Sequence, residues 1–422
     1  MRREIVIVSY QLDRRTRRDE DRRHITPDSF FVHEFPLLAA AHGRLVEAGM
    51  TALDPPPLTV EVESSVWTVK RGGGTVDVER GAVEGALAVA LDPGQFSDWV
   101  QNQITLNGLL TARALQFRGG TLADVSIWDS LWVALLEGWT VIDRHLAFLD
   151  RKGASLDLER SFTPQDDPRD IEHFLREAGF VHLKGWLDPS DMPRIMADMD
   201  RALPLYREGD GKSWWATLND GTRCCVRLQA FVEHSDTTAR ILASDTWARM
   251  RQVLAAQDKL AQESIESRTI EALFKPVGVV SGPSDVSFHR DCHLGRHAYV
   301  CSRMTIGIPL TPTCHANGLL RVVAGSHRVA IPVEIAKACP YLPIVALPTD
   351  PGDLTVHLSC TLHESLPPVV SERRVMYTEI PLAPFDGTGY PTDTSVRYLR
   401  EQVNNILRDA DANASATSTM GG

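Results

Sequence analysis

The chain has 422 residues, 43% of them hydrophobic and 23% charged, with a formal net charge of -11 at pH 7. That length accommodates two or three domains with ordinary buried cores, and the apolar content excludes a disordered chain. The acidic balance argues against a nucleic-acid partner, because phosphate binding needs a cationic face and none dominates here.

Residues 1–26 read as a charged arm: the apolar run Ile5 to Val8 is too short for a secretory h-region, and Arg14, Arg15, Arg17 and Arg18 run into Asp19, Glu20 and Asp21. No apolar run is long enough to cross a membrane. The seven cysteines include no CxxC pair, and an odd total is poor material for a disulfide framework, so a cytoplasmic, reducing compartment is expected.

Residues 27–143 read as an α+β domain. Phe30, Phe31, Pro36, Leu37 and Leu38 open a helix expected to end near Gly49, and Pro55-Pro56-Pro57 breaks the chain after it. Leu58 to Glu63 alternates with period two, Val66 to Val69 continues after a turn, Val76 and Val78 alternate again after the Gly72-Gly73-Gly74 turn, and Ala86 to Leu91 gives another strand. Asp92-Pro93 then caps a helix carrying Phe96, Trp99 and Val100, and Trp128, Leu131, Trp132 and Leu135 mark the last helix. This β-meander closed by helices, with Leu91-Asp92-Pro93-Gly94-Gln95-Phe96 and a turn at Gly108, resembles the sterol carrier protein type two-like domains. The resemblance implies an apolar tunnel for lipid or fatty acyl-CoA. The plainer reading is that Trp99, Trp128 and Trp132 are core.

Residues 144–168 are charged and polar without a sustained apolar period and read as a linker. A second domain is expected over residues 169–390. Ile171, Phe174, Leu175 and Ala178 have helical spacing and end at Gly179, a helix-terminating glycine, and Phe180 to Leu183 is then a strand. Asp188-Pro189 caps a second helix with Ile195, Met196, Met199 and Leu203 on one face. Trp214 and Trp215 either wall a substrate mouth or pack on the sheet, and Lys275 either contacts an anion or is structural.

The chemistry concentrates further on. His289 and Asp291 lie two apart in a segment without helical spacing, so a strand aims both at one face. Pro351-Gly352-Asp353 is a turn, Leu354 to Leu358 an apolar strand, and His363 follows where the chain can return beside the first strand. Two imidazoles and one carboxylate on one face describe the facial triad of a non-haem Fe(II) oxygenase. His293 is in phase with the first pair and is an alternative ligand; His297, His315, His327 and His357 read as surface or structural histidines. A triad leaves room for 2-oxoglutarate, whose keto acid end chelates iron while its far carboxylate suits an arginine fork. Arg373 and Arg374 are both placed for that role, and strand alternation admits only one of them inward.

His289-Arg290-Asp291, Asn317 to His327, Pro351-Gly352-Asp353 and His363-Glu364-Ser365 followed by Arg373-Arg374 resemble, in order and spacing, the phytanoyl-CoA dioxygenases. The resemblance covers about Asp166 to Leu382. It implies a double-stranded β-helix, Fe(II) held by His289, Asp291 and His363, and 2-oxoglutarate and O2 as co-substrates. It also implies Arg374, eleven residues after His363, as the arginine that grips 2-oxoglutarate, assisted by Ser365. Ala324 stands where the family usually has proline, and His357 where an aromatic is common. Related halogenases vacate the carboxylate position for a halide, so Asp291 implies oxygen insertion or desaturation rather than chlorination. The expected activity is hydroxylation of a hydrophobic small molecule, such as an acyl-CoA or sterol, with release of succinate and CO2. Hydroxylation of a natural product or amino acid is a second reading, and a lipid carrier without turnover a third. Residues 391–422 are expected to hold one amphipathic helix and a disordered tail.

Overall fold

The computed structural model describes residues 23–102, 104–111, 114–255, 270–282, 286–291, 303–336 and 339–381. Residues 1–22 of the arm, His293, His297 and the expected carboxy-terminal helix and tail lie outside the described residues.

The N-terminal unit begins with a wide turn. Thr26 caps the short helix Pro27–Ser29, the chain continues as a π-helical turn, Phe30–Glu34, and then becomes α1, Phe35–Leu53, which ends on left-handed Asp54 ahead of the three prolines. The i to i+5 spacing of a π-turn shifts the helix face, so Phe30, Phe31 and Phe35 all point inward. There Phe31 stacks on Trp67 at 5.4 Å, and Phe30 meets Phe96 edge-on at 6.0 Å.

Five strands follow: β1 Leu58–Val62, β2 Ser65–Arg71, β3 Val76–Arg80, β4 Leu87–Ala90 and β5 Gln116–Arg118. Only the first three form the expected meander. β4 pairs with β1 in parallel, Leu58 opposite Leu87, giving the order β3-β2-β1-β4-β5. The helices α2 (Pro93–Val100), α3 (Leu106–Thr111) and α4 (Leu122–Glu137) complete the unit. Asp92 with Gln95, and Thr121 with Asp124, form reciprocal caps at the starts of α2 and α4. Trp99 and Trp132 stack at 3.9 Å, and with Trp128 they are buried, so these tryptophans are core.

The second unit is a double-stranded β-helix. Its larger sheet has the order β11-β8-β9-β10-β18-β13-β16-β7-β6, and its smaller sheet β12-β17-β14-β15. The strands are β6 Ser161–Phe162, β7 Phe180–Leu183, β8 Ser213–Leu218, β9 Arg223–Leu228, β10 Glu271–Lys275, β11 Val279–Ser281 and β12 Val286–His289. They continue as β13 Arg303–Pro309, β14 Leu320–Val323, β15 Ile344–Leu347, β16 Leu354–Leu358, β17 His363–Ser365 and β18 Arg373–Pro381. The end of the expected linker is thus already sheet, since β6 pairs with β7 and Phe162 joins the core.

Alternation along the central strands separates a greasy outer face from a polar inner one. Met304, Ile306 and Ile308 of β13, Leu354 and Val356 of β16, and Met376 and Ile380 of β18 share one apolar cluster with the helices α5 (Pro168–Ala178), α6 (Met192–Ala202) and α7 (Asp245–Leu254). Thr305, Gly307, Thr355, His357, Arg373 and Tyr377 take the opposite phase, toward the smaller sheet. Gly307 is required there: a Cβ would fall 2.5 Å from Thr355 Oγ1 and 3.0 Å from the Tyr377 ring.

Candidate active site

His289 closes β12 and pairs directly with His363, which opens β17. A bulge between Val286 and His289 shifts the register, and Asp291 lies just beyond the end of the strand rather than within it. Even so, one ligand atom from each of His289, Asp291 and His363 comes within 4.8 Å of the others. His289 Nδ1 is 2.8 Å from the Ser287 carbonyl and His363 Nδ1 is 3.0 Å from the Thr361 carbonyl, so both rings carry their proton on Nδ1 and turn Nε2 to the centre. The two Nε2 atoms lie 3.4 and 3.6 Å from the same oxygen, Asp291 Oδ1. The other oxygen, Oδ2, accepts a 2.8 Å hydrogen bond from Thr305 Oγ1 and sits 3.5 Å from His357 Nε2.

The electrostatics follow from this crowding. Burial works to raise the Asp291 carboxyl, but the rings of His363, His289 and His357 hold it well below the usual carboxylate range. Burial first, and then the neighbouring His357 and His289, press His363 well below its ordinary value, which keeps a neutral imidazole. Burial also opposes charge on His289, but its contact with Asp291 outweighs that and raises it. Two imidazole nitrogens and one carboxylate oxygen, each held by a backbone or hydroxyl partner, fit the ligand set of Fe(II) and leave positions open for co-substrates.

Beside the triad lies a cationic pocket. Arg373 is 2% exposed, and its guanidinium donates to Ser365 Oγ (3.1 Å), to Tyr377 Oη (2.9 Å) and to the Gly318 carbonyl, all neutral acceptors. Its Nε is buried with no hydrogen-bond partner. Lys275, 3% exposed and paired with Arg373 across β10 and β18, donates to the same Ser365 Oγ at 2.8 Å. A buried guanidinium ringed by neutral groups fits the far carboxylate of 2-oxoglutarate.

Arg374, expected in this role, takes the opposite strand phase from Arg373. Arg374 points to the outer face, where Asp200 at 2.7 Å and Glu372 at 2.7 Å hold it over the Phe274 ring. The inward arginine is Arg373, ten residues after His363. Ser365, expected to help hold the co-substrate, accepts from both Lys275 and Arg373. Thr305, which no motif signals, and His357, read as structural, also face the centre. Trp214 lies under Arg227, and Trp215 packs against the main core. His327 bonds the Arg176 carbonyl at 2.7 Å and is structural.

Residues 175–375 match the family model described as phytanoyl-CoA dioxygenase (PhyH). The match spans His289, Asp291, His363, Ser365, Arg373 and Arg374, in the region where the ligand atoms converge. This region is a phytanoyl-CoA dioxygenase family domain. Proteins of the phytanoyl-CoA dioxygenase family are 2-oxoglutarate-dependent non-haem iron enzymes that use O2. Among solved structures, the chain is similar to the α-ketoglutarate-dependent epimerase SnoN from nogalamycin biosynthesis (19% identity, 51% of this chain and 82% of that chain, TM-score 0.39). It is also similar to AviO1 from Streptomyces viridochromogenes (20%, 53% and 97%, 0.42) and to EctD from S. alaskensis with bound Fe (18%, 57% and 89%, 0.40). A search of curated proteins found no match. The family model does not extend to the N-terminal unit, and its likeness to sterol carrier domains is not confirmed. Among the described residues, no helix is long and apolar enough to cross a membrane.

Proposed function

We propose that the chain hydroxylates a small molecule with an apolar body, using iron held by His289, Asp291 and His363 and 2-oxoglutarate held by Arg373. The observation that carries this reading is the juxtaposition of the convergent triad with a buried arginine that has an unpartnered Nε. When bound, Fe(II) with 2-oxoglutarate and O2 supplies the oxidant, and the co-substrate leaves as succinate and CO2. The chain's own residues do the placing. Ser287 and Thr361 carbonyls fix the ring orientations of the two histidines, and Thr305 holds Asp291 Oδ2 so that Oδ1 faces their Nε2 atoms, where the three would hold the metal. Arg373 and Lys275 share Ser365 and together offer a cationic end point for a dicarboxylate.

For the substrate, support comes from the chain segments that leave this pocket. Val277 and Val280 follow Lys275, Val369 and Val370 follow Ser365, and all four are exposed. Exposed apolar side chains on the segments that follow Lys275 and Ser365 suit an apolar substrate body. The N-terminal unit lends such a substrate no support of its own, because aromatic side chains occupy the middle of its core.

The pair of arginines tests the assignment. Arg373→Ala should weaken 2-oxoglutarate binding by roughly 30-fold or more, the usual scale for truncating a buried charge partner, while Arg374→Ala shifts it by less than about threefold. Equilibrium titration of 2-oxoglutarate under anaerobic conditions reads both. The reverse ranking would return the role to Arg374 and overturn the strand phase described above.

A further inference from the structure

Arg290 stands between two proposed iron ligands, yet its side chain leaves the centre. It is 1% exposed, and among the described residues its acceptors are all backbone carbonyls. Nε donates to Cys360 at 3.0 Å, Nη1 to Ile331 at 3.1 Å, and Nη2 to Ser326 at 3.0 Å and Val329 at 3.3 Å. Only the planar five-donor fork of arginine reaches two loops in this way.

Those loops have different duties. The first, around Cys360, runs into His363: the Thr361 carbonyl orients the His363 ring, and Leu362 N donates to Ser326 Oγ at 2.8 Å. The second, residues 325–331, is the seat of the N-terminal unit. Ala330 N donates to the Thr140 carbonyl at 2.9 Å, Ala330 packs on Val133 of α4 and on Trp139, and Arg328 Nη1 reaches the Ala147 carbonyl at 3.2 Å. At Gly325, φ +75°, a Cβ would stand 2.6 Å from Leu146 Cδ2 and 2.9 Å from Phe148 Cζ, side chains of the segment that follows the N-terminal unit and packs on the second unit's cores, so the direct seat is made by Thr140, Val133 and Trp139. Arg290 therefore touches, in one side chain, the triplet that carries two ligands, the approach to the third, and the surface on which the N-terminal unit rests.

We propose that Arg290 is a positioning residue through which the seating of the N-terminal unit sets the geometry of the metal triad. The unit is then a support for the iron site and not a separable appendage. The inference rests on His289, Asp291 and His363 being the metal ligands. A change in the seat moves loop 325–331, the guanidinium follows its carbonyls, and the backbone on either side of Arg290 carries His289 and Asp291 with it.

The test is a double-mutant cycle on metal affinity in the full-length protein, with Mn(II) alone as the probe and its free-ion resonance as the readout. His289→Ala checks the ligand reading: if it leaves Mn(II) binding unchanged, that reading fails and the inference falls with it. With His289→Ala abolishing binding, Arg290→Lys should weaken Mn(II) by about tenfold or more, and Val133→Ala, which thins only the seat, by about fivefold. The double variant should lose little beyond Arg290→Lys. Val125→Ala removes the same methyl groups from the same helix but within the N-terminal core, and should leave affinity unchanged. Unaltered binding in Val133→Ala, fully multiplicative effects in the double variant, or equal weakening in Val125→Ala would each overturn the proposal, while apoprotein melting confirms that all variants fold.

Discussion

Arg373 and Arg374 are neighbours of one type with opposite fates, and the difference is made by partners. Arg374 meets two carboxylates at the surface; Arg373 meets only hydroxyls and a carbonyl in the interior, which is the arrangement of a cation awaiting an anion. Alternation in the sequence establishes that one of them points inward, but the phase depends on pairing Arg373 with Lys275 across β10, and that register is a property of the folded sheet. His357 makes the same point. It is 1% exposed, both ring nitrogens lack a hydrogen-bond partner, and its ring lies 4.0 Å from that of His363. A buried imidazole whose polar contact is a long 3.5 Å approach to Asp291 Oδ2 costs stability, so His357→Phe, which keeps an aromatic ring and removes the polar atoms, should raise the apoprotein melting temperature by the equivalent of about 1 kcal/mol or less. The same change removes a group beside Asp291 Oδ2 and should weaken metal binding by about tenfold. Thermal denaturation and metal titration on one sample read both effects, and a variant that loses stability while keeping affinity would mark His357 as simple packing.

At the level of elements, the sequence is most informative where the local chemistry is strong. Asp92-Pro93, Asp188-Pro189 and Gly179 mark helix ends that the structure places within a residue or two of expectation, because caps and left-handed glycines act on their own neighbours. The parallel return of β4, the π-turn over Phe30–Glu34 and the bulge in β12 were not legible, since each satisfies a contact distant in sequence. The bulge matters most: it lets His289 face His363 while Asp291 swings in from beyond the strand. The β13 alternation yields its own prediction. Gly307→Ala sets a methyl against Thr355 and Tyr377 and should cost about 1–3 kcal/mol of stability, measured by denaturant unfolding. Because Tyr377 Oη holds Arg373, the same variant should also weaken 2-oxoglutarate binding. Intact binding with lost stability would separate the glycine from the pocket.

Across the whole molecule, the motif-bearing half was legible because its ligands have distinctive chemistry, whereas the N-terminal half rests on packing that many sequences share. Its buried Asp129 accepts from Leu106 N at 2.7 Å and Asn107 Nδ2 at 2.9 Å, yet burial pushes its carboxyl up to about 6, against the pull of those bonds and of Arg290. A raised folded value means that the native state binds the extra proton, so this group favours folding below the unfolded value near 3.8, and the benefit is lost as pH rises to about 6. Unfolding free energies should therefore fall by about 2 kcal/mol between pH 4 and 7 in the wild type relative to Asp129→Asn. Parallel profiles for the two proteins would show that Asp129 titrates normally. The central claim, that this chain assembles iron and 2-oxoglutarate between its two sheets, is tested most directly by anaerobic titration of the apoprotein with Fe(II) and 2-oxoglutarate. A visible charge-transfer band should appear in the wild type and in Arg374→Ala and be absent in His289→Ala; folded wild-type protein that binds iron and shows no band would contradict the account.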